Sequence, residues 1–213
     1  MNKVKCFWLE PTTTARAWLR RFPFRSDTAG RCPHPDNSGY HDAMLQIADI
    51  PDYVWDPVMG GYPDANARYK PPVSDPRWPT ACACGYQFAD TDHYQVFTRL
   101  IYQRTDTGET LLLDDAPPGA MYDAFWLRGV PRYSGPDGRS LYVILPDGNR
   151  WCIDGVASNC TRKDDLVHKC WIRHGEPPDL TVDKRGNTCQ AGAGSILTPK
   201  FHGFLRNGFL EGC

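Results

Sequence analysis

Short alternations of hydrophobic and polar positions dominate the second half of the chain. Residues 94–104 (YQVFTRLIYQR) are β-branched and aromatic, residues 105–109 (TDTGE) have turn chemistry, and TLLL follows. That pattern predicts a hairpin. Residues 139–146 (RSLYVILP) and 150–155 (RWCIDG) alternate on either side of Asp147-Gly148-Asn149. An Asp-Gly pair between two such runs is the strongest short-range hairpin signal in the sequence. The C-terminus repeats it, with FHGFL and FLEGC flanking Arg206-Asn207-Gly208.

The first half is less regular. Ala15, Trp18, Leu19 and Phe22 fall at i, i+3, i+4 and i+7, as on one face of a short helix. Ala17, Leu19 and Arg21 also alternate with Trp18, Arg20 and Phe22, which fits a strand equally well. Residues 117–127 (PPGAMYDAFWL) predict the start of a short helix, with Pro118 suited to a first turn. Residues 51–80 hold Pro51, Pro57, Pro63, Pro71, Pro72, Pro76 and Pro79, a density at which no helix or central strand survives. These patterns predict a β-rich α+β fold of antiparallel hairpins with long Pro/Gly-rich loops. The expected division is an N-terminal lobe over 1–50, a proline-rich connecting loop over 51–80 and a main β-rich domain over 81–213.

Composition sharpens this picture. The 213 residues include 19 glycines and 19 prolines, well above the roughly 12% these two residues average together. Seven Trp, ten Tyr and nine Phe argue against disorder. Lys plus Arg number 24 against 25 Asp plus Glu, so the surplus of positive charge that grips nucleic-acid phosphates is missing. No apolar run approaches the roughly 18 residues of a membrane span. Lys3 and Lys5 are followed by no apolar stretch of signal-peptide length, so the expectation is a chain made and kept in a reducing cytoplasm.

Nine cysteines carry the candidate chemistry: Cys6, Cys32, Cys82, Cys84, Cys152, Cys160, Cys170, Cys189 and Cys213. An odd number cannot pair fully within one chain. In a reducing compartment, clustered cysteines are more often metal ligands or buried apolar residues than disulfides. Cys82-Ala-Cys84-Gly85 forms half of a zinc site, to be completed from Cys32, His34, His41 and His93. Of the histidines, His93 is the expected ligand. A second concentration lies at Cys160, His168, Cys170 and Cys189, with Cys152 and His174 close by. His168 and Cys170 would share one face of a strand. Metal binding, core packing and a Cys152–Cys160 or Cys160–Cys170 disulfide all remain open for this group. Zinc is the metal that suits both sets.

A catalytic reading also exists. Cys189 precedes a run of small residues (Gln190 to Gly194) whose backbone amides could form an oxyanion hole. His174 or His202 would then be the base and Asp183 its orienting group. A tight glycine turn is the plainer account of the same run. The pairs Asp114–Asp115 and Asp164–Asp165 sit in polar sequence and read as solvated loops.

The motifs CFWLEPT at 6–12, GYHDA at 39–43, DPRWP at 75–79, CACGYQF at 82–88, TDTGE, DAPPGAMYDAFW, the stretch from SNCTRKDD to CQAGAGSI at 158–196 and HGFLRNG at 202–208 together resemble Cys- and Trp-rich proteins encoded by tailed bacteriophages and prophages. The resemblance implies a phage source and carries over no functional residue. The expected function is a non-enzymatic virion or assembly component, such as a capsid or tail accessory protein, stapled by Cys/His metal sites or disulfides. Its partners would be other virion proteins or further copies of itself, with no membrane and no nucleic acid. It would be found in the host cytoplasm during assembly and then in the virion. The alternatives are a small zinc- or thiol-dependent phage accessory hydrolase and a host-directed binding or inhibitor protein.

Overall fold

The structure is a computed structural model that describes residues 3–23, 30–34, 39–54, 62, 74–185, 189 and 195–213. Thirteen β-strands are assigned among them: β1 (Lys3–Lys5), β2 (Phe7–Phe22), β3 (Ala43–Ile50), β4 (His93–Arg104), β5 (Thr110–Leu112), β6 (Ala120–Asp123), β7 (Leu141–Ile144), β8 (Arg150–Cys152), β9 (Ile172–His174), β10 (Thr181–Asp183), β11 (Ile196–Leu197), β12 (His202–Arg206) and β13 (Phe209–Gly212). Helix among the described residues is confined to 3-10 turns, at Leu113–Asp115 and Phe125–Leu127. The fold is therefore β-rich with antiparallel sheets, and the helical part of an α+β fold is missing from the described residues.

Two compact units divide the chain. One comprises Met1–Pro11 and Tyr102–Cys213, the other Thr12–Ile101. β2 leads from the first unit into the second and β4 leads back. In the proline-dense stretch, residues 55–61 and 63–73 lie outside the described residues.

The alternation decides the fate of residues 15–22. Ala15, Ala17, Leu19 and Arg21 are buried while their neighbours are half-exposed, which is the period of a strand. β3 pairs antiparallel with this half of β2, from Ala15 opposite Ile50 to Arg21 opposite Ala43, with a bulge at Ala17/Trp18. The apolar groups of this unit form separate small clusters: Ala15, Ala17, Ile50 and Tyr53; Leu19, Trp78 and Val96; and Cys32, Cys82 and Phe88.

The first unit has a larger core. It includes Cys6, Met121, Leu141, Val143, Leu145, Ile153, Leu180, Leu205 and Leu210, and the cysteines 160, 170 and 189. The predicted helix at 117–127 is instead β6 followed by a 3-10 turn. β6 runs parallel to Phe7–Trp8 and antiparallel to β7, and all four of its residues are buried. Pairing on both sides overrides local propensity here. Gly119 makes this possible: its φ is +91°, and a Cβ there would meet the Lys5 carbonyl oxygen at 2.5 Å.

The turn chemistry of the hairpins appears as expected. β7 and β8 pair across Asp147-Gly148, with Gly148 at φ +81°. β12 and β13 pair across Asn207 (φ +46°) and Gly208 (φ +73°). Two successive positive φ angles define the primed turn whose twist matches the strands it joins. β1 adds to the outer edge of β13, and β11 to that of β12.

Candidate metal centres

Two Cys3His clusters form, one in each unit. In each, the four donor atoms lie within 4.8 Å of one another.

The first cluster is Cys32, His41, Cys82 and Cys84. Cys82 and Cys84 sit on a tight loop. The Cys82 N–H donates to the Tyr86 carbonyl and the Gly85 N–H to the Cys82 carbonyl, both at 2.8 Å. Gly85 has φ +92°, which a side chain would strain. Arg21 fixes the base of this loop, donating from Nη1 to the Pro79 carbonyl at 2.8 Å and from Nη2 to the Ala89 carbonyl at 2.7 Å. Cys32 arrives on a second turn closed by its N–H on the Gly39 carbonyl at 2.9 Å. His41 follows two residues later, its ring stacked on Tyr86 with centroids 4.3 Å apart. Its Nδ1 lies 3.2 Å from Cys84 Sγ, and Cys32 Sγ lies 3.8 Å from Cys82 Sγ.

Electrostatics prepare one sulfur of this set for a cation. Burial pushes the Cys82 thiol up. The N–H of Cys84, the His41 ring, the N–H of Asp42 and the Cys84 side chain outweigh it and bring Cys82 down to about 6. Cys32 is held above the ordinary thiol value, first by burial and then by its neighbours Cys84 and Cys82, against the N–H of His34.

The second cluster is Cys160, His168, Cys170 and Cys189, all four buried. Cys189 Sγ lies 3.9 Å from Cys160 Sγ and 3.6 Å from Cys170 Sγ, and Cys170 Sγ lies 3.9 Å from His168 Nε2. Cys160 accepts from the Arg162 N–H at 3.3 Å, and Cys170 from the Ala157 N–H at 3.2 Å. The Asp165 carboxylate accepts the N–H groups of Val167 and His168, each at 3.1 Å, and so fixes the turn that presents the imidazole. Trp171 anchors the adjacent chain by donating from Nε1 to the Ile153 carbonyl at 2.6 Å. Lys184 Nζ donates to the Cys189 carbonyl. Burial, joined by Cys160 and Cys189, pushes the Cys170 thiol up to about 12 against the Ala157 N–H. A buried set of this kind resists ionisation unless a cation balances the charge.

The donor spacing fits a tetrahedral zinc ion. Zn–S bonds of about 2.3 Å place sulfurs at tetrahedral corners about 3.8 Å apart. The observed S···S separations of 3.6 to 3.9 Å match that edge. They far exceed the ~2.05 Å of a disulfide, and none of the nine cysteines, each among the described residues, is in a disulfide. Thiolate with imidazole is a soft donor set that favours zinc over calcium or magnesium. In both clusters the backbone N–H two residues after a cysteine faces its sulfur: His34 to Cys32, Cys84 to Cys82 and Arg162 to Cys160. Such donors stabilise thiolate charge as outer-shell partners.

Seven of the eight residues expected to bind metal from the sequence fall in these two clusters. The eighth, His93, begins β4, where its ring packs at 5.6 Å from that of Phe22, and His41 completes the first set instead. The signal for His41 is its position just beyond the Gly39 turn that closes on Cys32. Of the catalytic alternative, Cys189 belongs to the second cluster, while His174 and Asp183 pair with each other across β9 and β10 at 2.9 Å. His202 lies exposed at the start of β12. The small-residue run 190–194 lies outside the described residues. Cys6 is buried in the core, Cys152 is half-buried and Cys213 is exposed.

Among the described residues no helix is long and apolar enough to cross a membrane. No family model, curated protein or solved structure matches the chain.

Proposed function

We propose that this protein is a non-enzymatic structural or assembly component of a tailed-phage particle, each of its two β-rich units stapled by one zinc ion. The observation that carries the structural reading is that each cluster supplies four soft donors. Structural zinc sites are closed by four protein ligands, whereas catalytic sites keep a position for water. With Cys189 as a ligand, its sulfur is committed to the metal and is not a free nucleophile. The need for staples follows from the packing. The second unit divides its apolar groups among small clusters, and one of these consists of two zinc-ligating cysteines and Phe88. Metal-binding free energy then becomes folding free energy.

The phage assignment rests on the resemblance of the sequence motifs. The partners would be other virion proteins or further copies of the chain, and the site of action the host cytoplasm and then the particle.

Two measurements test this reading. Elemental analysis of the purified protein should find two zinc ions per chain. Mass spectrometry of purified virions should find the protein in stoichiometric amount. A chain that folds without metal would sink the stapling claim. Absence from both virions and assembly intermediates would sink the particle claim.

A further inference from the structure

A polar cleft with a cavity volume of about 570 Å³ shares no lining residue with either metal cluster; it is lined by His174, Thr181, Asp183, Arg185, Arg206 and Asn207. We infer that this cleft binds a phosphate oxyanion. The inference goes beyond the zinc reading and does not depend on it.

The wall of the cleft spends its side-chain acceptors internally and leaves donors over. Asp183 is the one carboxylate in the lining, and its oxygens are occupied. Oδ1 accepts from the Arg185 N–H at 2.8 Å and faces His174 Nε2 at 2.9 Å, while Oδ2 accepts from Arg185 Nε at 2.6 Å. Asn207 Oδ1 accepts from the Thr181 hydroxyl at 3.0 Å, and that hydroxyl oxygen accepts the Asn207 N–H at 2.9 Å. The acceptors are therefore engaged inside the wall. What remains is a set of donors: the guanidinium of Arg206, the outer N–H groups of Arg185 and the side-chain NH2 of Asn207. His174 spends its Nε2–H on Asp183, so its ring borders the cleft without adding a donor to this set.

The charges agree. Arg185 is neutralised by Asp183 at 2.6 Å. Among the described residues Arg206 makes no close ion pair; Glu211, itself paired with Lys3 at 2.9 Å, feels its charge only at longer range, so Arg206 supplies positive charge to the cleft. A planar guanidinium fork is matched to two oxygens of a tetrahedral anion.

The donors are held rather than loose. The Arg206 guanidinium lies over the Phe204 ring at 4.0 Å. Asn207 is fixed in the β12–β13 turn at φ +46° and tied to Thr181 on β10. Asp183 orients the imidazole. Preorganised donors bind an anion without first being ordered.

The experiment is a titration of the isotope-labelled, zinc-loaded full chain with inorganic phosphate, followed by NMR of the His174 ring and the Asn207 side-chain amide. Dimethyl phosphate and sodium chloride at equal ionic strength form parallel arms. Saturable shifts with phosphate and none with chloride are expected. Weaker binding of dimethyl phosphate assigns the ligand as a monoester, and equal binding assigns it as a diester. Both variants, Arg206→Gln and Asn207→Asp, should weaken phosphate binding by about tenfold or more, as loss of a charged hydrogen-bond pair requires. Asn207→Asp keeps a residue that tolerates the left-handed turn and adds a repelling carboxylate. Shifts that track ionic strength alike in all arms, or unchanged phosphate affinity in both variants, would overturn the inference.

Discussion

The guanidinium of Arg21 is buried and bonded to the backbone carbonyl of Pro79, 58 residues away. With its second bond to Ala89 and its position 5.4 Å from the Phe88 ring centroid, it closes the loop that carries Cys82 and Cys84. Arg21→Met keeps much of the apolar stem and removes both charged hydrogen bonds, leaving the two carbonyls without these donors. The expected cost is about 3 kcal/mol, seen as a lower urea midpoint. Zinc should also leave the first site faster, because the loop that holds two of its ligands loses its base. An unchanged midpoint and unchanged zinc release would mean the clamp is dispensable.

The two metal sites should differ in lability. All four donors of the second cluster are buried, while Cys84 of the first is partly exposed. A chelator reaches a metal through an accessible ligand, so stepwise removal should empty the first site before the second. Cobalt substitution followed by chelator titration gives the order directly, since Cys84→Ser abolishes the first signal only. Release from the second site first would contradict the burial argument.

How much of this was legible in the sequence depended on whether the signal was local. The β7–β8 and β12–β13 hairpins could be read because Asp147-Gly148 and Asn207-Gly208 sit between alternating runs and the turn demands positive φ. The second metal set could be read because three of its ligands fall within eleven residues, Cys160 to Cys170. β2 could not be resolved, because Ala15, Trp18, Leu19 and Phe22 satisfy both periods and only pairing with β3 selects one. The helix expected near residue 120 failed for the same reason, since burial of β6 between two partners is a tertiary fact. His41 was displaced by His93 as the expected ligand because a CxC half-site does not reveal which distant turn faces it. The oxyanion cleft was invisible, since it joins the tips of two hairpins.

Cys170 is fully buried beside Trp171 in the larger core. Cys170→Ser replaces a thiolate ligand by a hydroxyl and leaves a buried polar group among apolar neighbours. The expected result is loss of one zinc per chain and aggregation or loss of cooperative melting in the first unit. Cys213→Ser, at an exposed thiol, serves as the control and should leave both zinc content and melting unchanged. A soluble Cys170→Ser protein with a normal melt would remove the structural role assigned to that sulfur.

Zinc uptake should release unequal numbers of protons at the two sites. A thiol must be deprotonated before it can bind the metal. In the metal-free protein the N–H of Cys84 and the His41 ring hold the Cys82 thiol below its ordinary value, so it has less proton to give at neutral pH. Cys170, pushed up to about 12, is protonated and must release one. The sign follows: as pH falls from 8 towards 6, proton competition weakens the second site more steeply than the first. Calorimetry in buffers of different ionisation enthalpy measures the protons released. A Cys32→Ser/Cys84→Ser double variant, which retains only the second site, should release more than half of what the intact chain releases on taking up both ions. Equal release per zinc in the two proteins would show that the backbone donors around Cys82 do not hold it as a thiolate.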